Sequence, residues 1–519
     1  NDSNTKKIGL PANGYVNILA YPEFKGSYMY ISTISNKQGS FTIEQLPLYP
    51  GALVFDGVDD YGVCDNFPIL TKEKGYTVVA LRQWDQDFLN TTLTGGLLST
   101  RNYSTGEGVA FEKIESSSKG YWNLGAGGII DFAKSPFTWQ TSKQYNNVGI
   151  LKGGKNHGKP LCVGCGLSGG QQCGRFAIWE LVILDHDATE EELTKIKNYF
   201  VKTYPWLFPD QAWTVVGKTN EDEDRATIAN ITGNGNDLVL SNVAFSENSG
   251  YGSYPFGMNV WNPDYIADQP YGTVHYPNDS KSYATTVKNN ATNFRIKFRL
   301  RGLPEGGSFL IRVFDMNDLN TVLKTYTYTE NGIHEFVYND PNKPARIILY
   351  NGNTPSNISE FYLDIIPEYE GYLITDGVDD KINSSNFDLG KDWTIVGDWT
   401  MLSNIPSNCG IIKASSLFLY NSIDSVTIYI NNGGRPIKIQ SKSINAICSD
   451  GRIYLNDWTE ISKPGVQTEL SSKANLNITS YGTTFTKMAF KNLAIYDGKI
   501  LSKDECVKAY NYLQTLKAK

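Results

Sequence analysis

Two acidic clusters carry the clearest chemical signal, because each places three carboxylates within five residues. They close two ten-residue stretches, 51–60 and 371–380, which lie 320 residues apart and share the pentapeptide Asp-Gly-Val-Asp-Asp. Calcium takes about six to eight oxygen ligands and prefers carboxylates. The sequence therefore offers calcium as a candidate cofactor, with the metal ligands Asp56, Asp59, Asp376 and Asp379, each beside a further carboxylate at Asp60 or Asp380.

The same pentapeptide also has a structural interpretation that needs no metal. Glycine accepts a positive φ and aspartate bonds its own backbone, so Asp-Gly is typical of tight turns. Short apolar runs flank both copies, which predicts strand, turn, strand. We favour the turn, with calcium as the alternative. The repetition does not separate the two, since a turn and a metal site would be repeated equally.

A glycoside-cleaving pair of carboxylates is the second candidate. Retaining hydrolysis needs two carboxylates about 5–5.5 Å apart, which alternate residues of one strand supply because they share a face. The nearest approach is the run 221–224, which is predicted to lie in a polar loop. The four histidines fall in no metalloprotease or nucleophile-base pattern: His157, His186, His275 and His334. The sequence predicts no catalytic residue and no enzyme activity.

Three cysteines have partial zinc-site spacing: Cys162, Cys165 and Cys173. A structural zinc site takes four ligands, usually as two close pairs, and here only one pair is present, with Cys64 or His157 as the nearest additions. Thiols without metal are the favoured interpretation. The total of seven cysteines is odd, so they do not all pair within the chain, which fits assembly in a reducing compartment.

An aromatic stretch at 251–276 is the main candidate for ligand binding. Its rings are separated by Gly, Pro and Asn, so they do not form a regular core strand. Exposed aromatic rings bind sugar faces or protein surfaces with little loss of entropy. The predicted ligand-binding residues are Tyr254, Trp261, Tyr265 and Tyr271, with weaker candidates at Trp122 and Trp139. The alternative is a loop that packs its own rings over the edge of a sandwich.

Composition limits the classes of partner. The net charge is −7, with acidic and basic residues interleaved, so no concentrated basic face for nucleic acid is expected. No apolar run reaches the roughly 18 residues that span a bilayer, so no membrane insertion is expected. Short apolar runs separated by Gly, Asn, Ser and Asp predict an all-β protein of tandem antiparallel β-sandwiches.

The elements that position these residues repeat along the chain. Each acidic stretch opens a segment that closes with a strand, 176–185 or 488–497, followed by a helix start of the capping-box type. The predicted domains are therefore two repeats, 50–208 and 370–519, around a jelly-roll module at 209–369. Residues 1–49 match the end of that module at the same offset of 320. They are expected to be the C-terminal half of such a module, cut from a longer chain.

Three features carry a family resemblance: the start L-x-F-D-G-V-D-D-Y, the end of strand, Asp and capped helix, and the hairpin 451–457. Together they resemble the laminin-G-like members of the concanavalin A-like lectin and glucanase superfamily. The resemblance implies two-sheet jelly rolls and recognition of glycans or proteins. The intervening module is similar in outline to carbohydrate-binding modules. Its segment 213–236 resembles tail or surface proteins of Bacteroides-infecting phages, including crAss-like ones.

These observations favour a non-enzymatic structural and glycan- or receptor-binding protein, most specifically a phage tail fibre or baseplate component. The expected partners are cell-surface glycan or other virion proteins, with homo-oligomers inside a larger assembly in the virion or otherwise at a cell surface. A bacterial surface adhesin or polysaccharide-capture protein is the alternative. A polysaccharide-degrading enzyme is disfavoured, because no strand carries the carboxylate pair.

Overall fold

The computed structural model describes the chain in these ranges: 47–67, 77–89, 91–100, 110–113, 119–122, 129–131, 149–150, 161–167, 171–186, 188–233, 236–245, 249–252, 259–260, 273–276, 284–318, 320–351, 361–366, 369–387, 389–402, 409–414, 417–422, 425–430, 437–439, 443–462, 474–478, 480–481 and 484–518. Within them, strands arranged in antiparallel sheets dominate and two helices exceed one turn. The predicted class of tandem antiparallel β-sandwiches is confirmed. The predicted half-module at 1–49 lies almost entirely outside the described residues.

The described part of the first repeat contains twelve strands and two α-helices. One sheet has the order β1-β12-β3-β8, and a second contains β2-β9-β4 and continues through β5, β6 and β7. Among the described strands, β1 and β2 each end a sheet. The elements are β1 Leu53–Asp56, β2 Gly62–Cys64, β3 Thr77–Trp84, α1 Gln86–Leu89, β4 Gly95–Ser99, β5 Ala110–Lys113, β6 Lys119–Trp122, β7 Ile129–Asp131, β8 Gly149–Ile150, β9 Leu161–Val163, β10 Cys165–Leu167, β11 Gln171–Cys173, β12 Arg175–Leu184 and α2 Glu190–Thr203.

The short segment that follows the first repeat pairs with strands near the C-terminal end of the chain. Its four strands are β13 Gln211–Thr214, β14 Thr227–Ile228, β15 Leu238–Ser241 and β16 Gly250–Tyr251. Within the residues that the structure describes, none of them pairs with the jelly roll that follows in sequence. Three of them pair instead with residues 373–374, 381–383 and 492–495, while β14 pairs with β15 inside the segment. We call residues 211–251 the docked segment.

The middle of the chain is a separate sandwich with two sheets, β17-β19-β24-β21-β22 and β18-β25-β20-β23. Strands β21 and β25 bury every second side chain, the alternation expected of a strand with one face on the core. Phe298, Phe309 and Leu363 lie in that core. The strands are β17 Asn259–Val260, β18 Thr273–Tyr276, β19 Ala284–Ala291, β20 Asn293–Arg301, β21 Phe309–Asp315, β22 Val322–Tyr328, β23 Gly332–Asn339, β24 Ala345–Asn351 and β25 Phe361–Ile366.

The second repeat forms one sheet of order β16-β26-β39-β28-β33-β34-β35, with β13 also on β39, and another of order β14-β15-β27-β36-β29-β30-β31-β32. The sequence grouped 209–369 as one module, whereas in the structure the docked segment contributes strands to both sheets of this repeat. The remaining elements are β26 Leu373–Ile374, β27 Lys381–Phe387, β28 Trp393–Met401, β29 Cys409–Ala414, β30 Leu417–Ser422, β31 Ser425–Ile430, β32 Ile437–Ile439, β33 Ile444–Cys448, β34 Arg452–Leu455, β35 Glu460–Ser462, β36 Ala474–Ile478, β37 Ser480–Tyr481, β38 Thr484–Phe485, β39 Met488–Asp497 and α3 Lys503–Leu513.

The two repeats share their strand register as well as their sequence motifs. Leu53 pairs with Ile178 in the first repeat, and Leu373 pairs with Phe490 at the matching position of the second. The last strand of each repeat, β12 or β39, carries a bulge at an equivalent position. In β12 it lies between Ile178 and Glu180, and in β39 it lies opposite Asp398 and Trp399 of β28. The repeat is therefore preserved at the level of individual strand pairs.

Both predicted helix starts are confirmed. Thr189 and Glu192 form a reciprocal capping box on α2, and Ser502 and Glu505 form one on α3. Each box satisfies backbone donors that the first helical turn leaves unpaired. The part of the chain that the structure describes contains no helix long and apolar enough to cross a membrane.

One apolar core joins the two repeats. It contains Val79 and Trp179 of the first repeat together with Ala494, Tyr496 and Tyr512 of the second. The Trp179 and Tyr512 rings meet edge to face, with centroids 5.8 Å apart. The Tyr496 hydroxyl donates to the Trp206 carbonyl at 2.7 Å in a buried hydrogen bond. The repeats therefore contact each other through shared packing as well as through the connecting chain.

Candidate functional site

The first Asp-Gly-Val-Asp-Asp copy is a tight turn held by its own carboxylates. Gly57 has a φ of +79°, which favours glycine. The Val58 amide donates to Asp56 Oδ1 at 2.7 Å, and the Asp56 amide donates to Asp60 Oδ2 at 3.0 Å. Both bonds satisfy backbone donors inside the loop. The predicted turn chemistry is therefore present.

The second copy repeats this geometry and adds contacts to another part of the chain. Val378 donates to Asp376 Oδ1 and the Asp376 amide donates to Asp380 Oδ2, both at 2.7 Å. Ser249 Oγ then donates to the second Asp380 oxygen, Oδ1, at 3.0 Å. The Asn242 side-chain amide donates to the Asp379 carbonyl at 3.2 Å. The docked segment thus binds directly onto this turn.

The two copies differ in burial because of that contact. Asp56, Asp59 and Asp60 are all exposed, whereas Asp380 is 1% exposed. Burial raises the pKa of Asp380 to about 6, against the lowering effect of hydrogen bonds from the Asp376 backbone and Ser249. Desolvation disfavours the charged form of a carboxyl group. The same pentapeptide therefore has two different electrostatic environments.

Each turn brings three carboxylates together in a way that could contribute to a cation site. One oxygen from each of the three aspartates lies within 4.8 Å of the other two, in both copies. Calcium needs about six to eight oxygens, so carbonyls or water would have to supply the remainder. In the second copy Asp380 already accepts two hydrogen bonds, so the exposed first copy is the better donor set. Calcium binding at Asp56, Asp59, Asp376 and Asp379 stays a prediction.

The other acidic candidate makes local contacts. In the run 221–224, Asp222 accepts hydrogen bonds from the amide and hydroxyl of Thr219. Asp224 forms an ion pair with the buried Lys218 at 2.6 Å. Since these residues lie in a turn between β13 and β14, they do not share a strand face. The arrangement is that of a turn with an ion pair, and it lacks the alternating strand geometry of a retaining glycosidase.

Among the described histidines, His186 is the one whose ring nitrogens both lie beside carboxylates. Its ring nitrogens lie 3.2 Å from Asp185 and 2.9 Å from Glu192, next to the α2 capping box. Hydrogen bonding to Asp185 and then to Glu192 raises the pKa of His186. These contacts hold the start of the helix. His334 approaches the Glu330 carbonyl, while His157 and the His275 side chain lie outside the description.

The three cysteines with zinc-like spacing do meet in space. Cys162, Cys165 and Cys173 form one buried apolar cluster, and Cys165 and Cys173 are cross-strand neighbours. Within the described residues, however, the groups of three ligand atoms close enough for a metal are the two aspartate turns. Tetrahedral zinc holds thiolates about 2.3 Å from the ion. The cysteine cluster therefore lacks metal-site spacing.

The predicted aromatic ligand residues fall outside the description: Tyr254, Trp261, Tyr265, Tyr271 and Trp139. Trp122 lies on β6, and its side chain is also outside it. The first ring of the stretch, Tyr251, is buried, and its hydroxyl donates to the Arg225 carbonyl at 2.6 Å. That ring belongs to the second repeat's core. Ligand binding by the others stays a prediction.

Sequence reasoning missed Ser249 and Asn242, which bind the second turn. They lie 131 and 137 residues before their partners, and no local pattern marks them. The nearest sequence signal is the apolar run 238–240, which indicates a strand but not the sheet that it joins.

No family model matches the chain, and no curated protein matches its sequence. Among solved structures it is similar to truncated AlyQ with CBM32 and alginate lyase domains, with 6% identity and a TM-score of 0.20, covering 50% of this chain and 99% of that one. It is also similar to Trypanosoma rangeli sialidase in complex with sialic acid, with 9% identity and a TM-score of 0.22, covering 56% of this chain and 61% of that one. A third similar structure is an archaeal virus protein with a triple jelly roll fold, with 7% identity and a TM-score of 0.10, covering 86% of this chain and 91% of that one. Similarities at these TM-scores carry no argument about function.

Proposed function

We propose that this protein is a non-enzymatic structural and recognition protein of an extracellular assembly, which binds a cell-surface glycan or a protein receptor. In its most specific form the proposal is a tail-fibre or baseplate component of a phage. The observation that carries it is the continuous core between the two repeats.

Interfaces between domains of one chain allow relative motion unless they are large and apolar. In this chain, aromatic residues from both repeats pack in one buried cluster: Trp179, Trp206, Tyr496 and Tyr512. A polar contact adds to the joint, because the buried Gln83 donates from Nε2 to Thr515 Oγ1 at 3.1 Å. A joint of this kind favours two sandwiches held at a fixed spacing and orientation.

Fixed spacing has a use in multivalent binding. Modules linked in a set geometry bind a repetitive surface with an avidity well above that of one module, provided that the spacing fits. A surface polysaccharide is such a repetitive target. The rigid joint therefore supports a scaffold that presents binding loops, and the aromatic residues predicted from the sequence are the candidates for those loops.

Glycan binding is tested on an array of bacterial surface polysaccharides with the full chain. The variant Trp261→Ala is expected to lose at least tenfold in affinity, because burying one large apolar side chain contributes about 1.5–3 kcal/mol. Tyr199→Ala is the matched control, since Tyr199 is an exposed ring on α2 outside the aromatic stretch. Equal binding by wild type and Trp261→Ala, with unchanged circular dichroism, would reject the aromatic stretch as the site.

The virion proposal has its own test. Purified phage particles that encode this chain are analysed by mass spectrometry and immuno-electron microscopy. Label on tails or baseplates at a fixed copy number per particle is the expected result. Finding the chain only as a soluble species in the lysate would overturn the proposal.

A further inference from the structure

The docked segment completes one side of the second repeat. Strand β16 pairs with β26, β15 pairs with β27, and β13 pairs with residues 492–495 of β39. Its side chains enter the core of this repeat, including Trp213, Leu238 and Leu240. Both sheets of the second repeat are therefore extended by strands that come from outside residues 370–519.

The first repeat lacks this cover among the residues that the structure describes. The equivalents of β26 and β27 are β1 and β2, and each of them ends its sheet. Leu53 is 64% exposed and Val54 is 50% exposed, whereas their counterparts Leu373 and Ile374 are fully buried. We call β1, the turn 56–60 and β2 the open edge.

The difference in burial between the two repeats is seen at β1, at β2 and at residues 180–183 of β12, so it is not a local irregularity. Val63 on β2 is 50% exposed, at the position where Asn383 of the second repeat pairs with Val239. Residues 180–183 of β12 are half-buried, whereas their counterparts 492–495, which pair with β13, are all buried. At each position the residues of the first repeat are less buried than their counterparts in the second repeat, which the docked segment contacts.

Exposed apolar edge strands are normally protected with lysine, proline or a covering loop. Strands β1 and β2 carry neither lysine nor proline; their sequences are Leu-Val-Phe-Asp and Gly-Val-Cys. An edge of this kind readily accepts an added strand, with affinity from main-chain hydrogen bonds and specificity from alternate side chains.

We propose that the open edge is a docking site for a strand segment of another polypeptide, with the chemistry of residues 236–252. Its strand would place alternate apolar side chains toward the core, as Leu238 and Leu240 do in the second repeat. The following polar stretch would donate to the exposed turn, as Ser249 and Asn242 do at the second turn. Three exposed carboxylates in that turn, Asp56, Asp59 and Asp60, exclude an acidic partner there by like-charge repulsion. The inference concerns how the chain joins a neighbour and stands apart from glycan binding.

The test titrates a fluorescent peptide of residues 236–252 into the full chain and follows anisotropy. Saturable binding is expected with wild type. The chain variant Val54→Lys/Val63→Lys is expected to bind at least tenfold more weakly, because lysine blocks strand addition at an edge. Val337→Lys is the matched control and retains binding, since Val337 is equally exposed on the separate edge strand β23.

A second peptide tests the chemistry of the partner. Replacing Leu238 and Leu240 by Asp in the peptide is expected to abolish binding. If the wild-type chain does not bind the peptide, the docking site is overturned. If binding survives Val54→Lys/Val63→Lys, the site is also overturned, because the peptide then replaces the docked segment at the second repeat. Light scattering of the chain alone completes the test, and a dimer lost in the lysine variant would overturn the assigned occupant in favour of a second copy.

Discussion

Asp380 gives a quantitative prediction, because burial under the docked segment raises its pKa from 3.8 to about 6. With the folded pKa above the unfolded one, protonation stabilises the folded state. The contribution is complete below about pH 4 and is lost as the pH rises through about 6. The difference corresponds to at most about 3 kcal/mol, since one pH unit is worth about 1.4 kcal/mol. The second repeat's edge should therefore open more readily at pH 7 than at pH 4.5.

Hydrogen exchange with mass spectrometry measures this opening locally, because it reports the free energy at which individual segments unfold. Exchange in β26 and β27 is followed from pH 4 to 7.5 and corrected for the intrinsic rate. The wild-type opening free energy is expected to fall by up to about 3 kcal/mol over this pH range. The variant Asp380→Asn is expected to abolish this dependence of the opening free energy on pH, here called the slope. Asp60→Asn, at the exposed turn of the first repeat, is the control and should retain the slope. An equal slope in wild type and Asp380→Asn would refute the assignment of the pH effect to this buried carboxyl.

Three further predictions concern the joint, the helix caps and calcium. Trp179→Ala removes a ring packed against Tyr512 and should cost about 3–5 kcal/mol, seen as a lower melting temperature in calorimetry; an unchanged temperature would contradict the shared core. Thr189→Ala and Ser502→Ala each remove a capping box and should each cost about 1 kcal/mol, with faster exchange in the first helical turn, while Thr203→Ala at the other end of α2 should leave that turn unchanged. If calcium binds the turns, calcium at 100 times its Kd should stabilise the fold by about 2.7 kcal/mol, and Asp56→Asn/Asp59→Asn should remove the part due to the first turn; no shift in melting would reject the metal.

The sequence predicted the local structure well. Asp-Gly predicted both turns, and the spacing of Thr189 to Glu192 and of Ser502 to Glu505 predicted both capped helices. These features depend on contacts within about five residues, so the residue types alone determine them.

The grouping of strands was harder to predict. Leu238 and Leu240 identify a strand, but their pattern fits any half-buried edge. Its partner, β27, lies beyond the whole middle sandwich, and no local signal selects a sheet at that distance. The unequal burial of the two turns follows from this pairing, so it was also invisible in the sequence.

Disulfide trapping tests the central claim most directly, namely that the same turn and edge are covered in the second repeat and open in the first. Val239 and Asn383 face each other across β15 and β27, and facing residues of antiparallel strands lie about 4.5–5.5 Å apart, within disulfide range. Val239→Cys/Asn383→Cys is predicted to cross-link within one chain on mild oxidation, as read by peptide mapping. Val239→Cys/Val63→Cys, which targets the matching position of the first repeat, is predicted not to do so. Equal cross-linking in both variants, or in neither, would contradict the account.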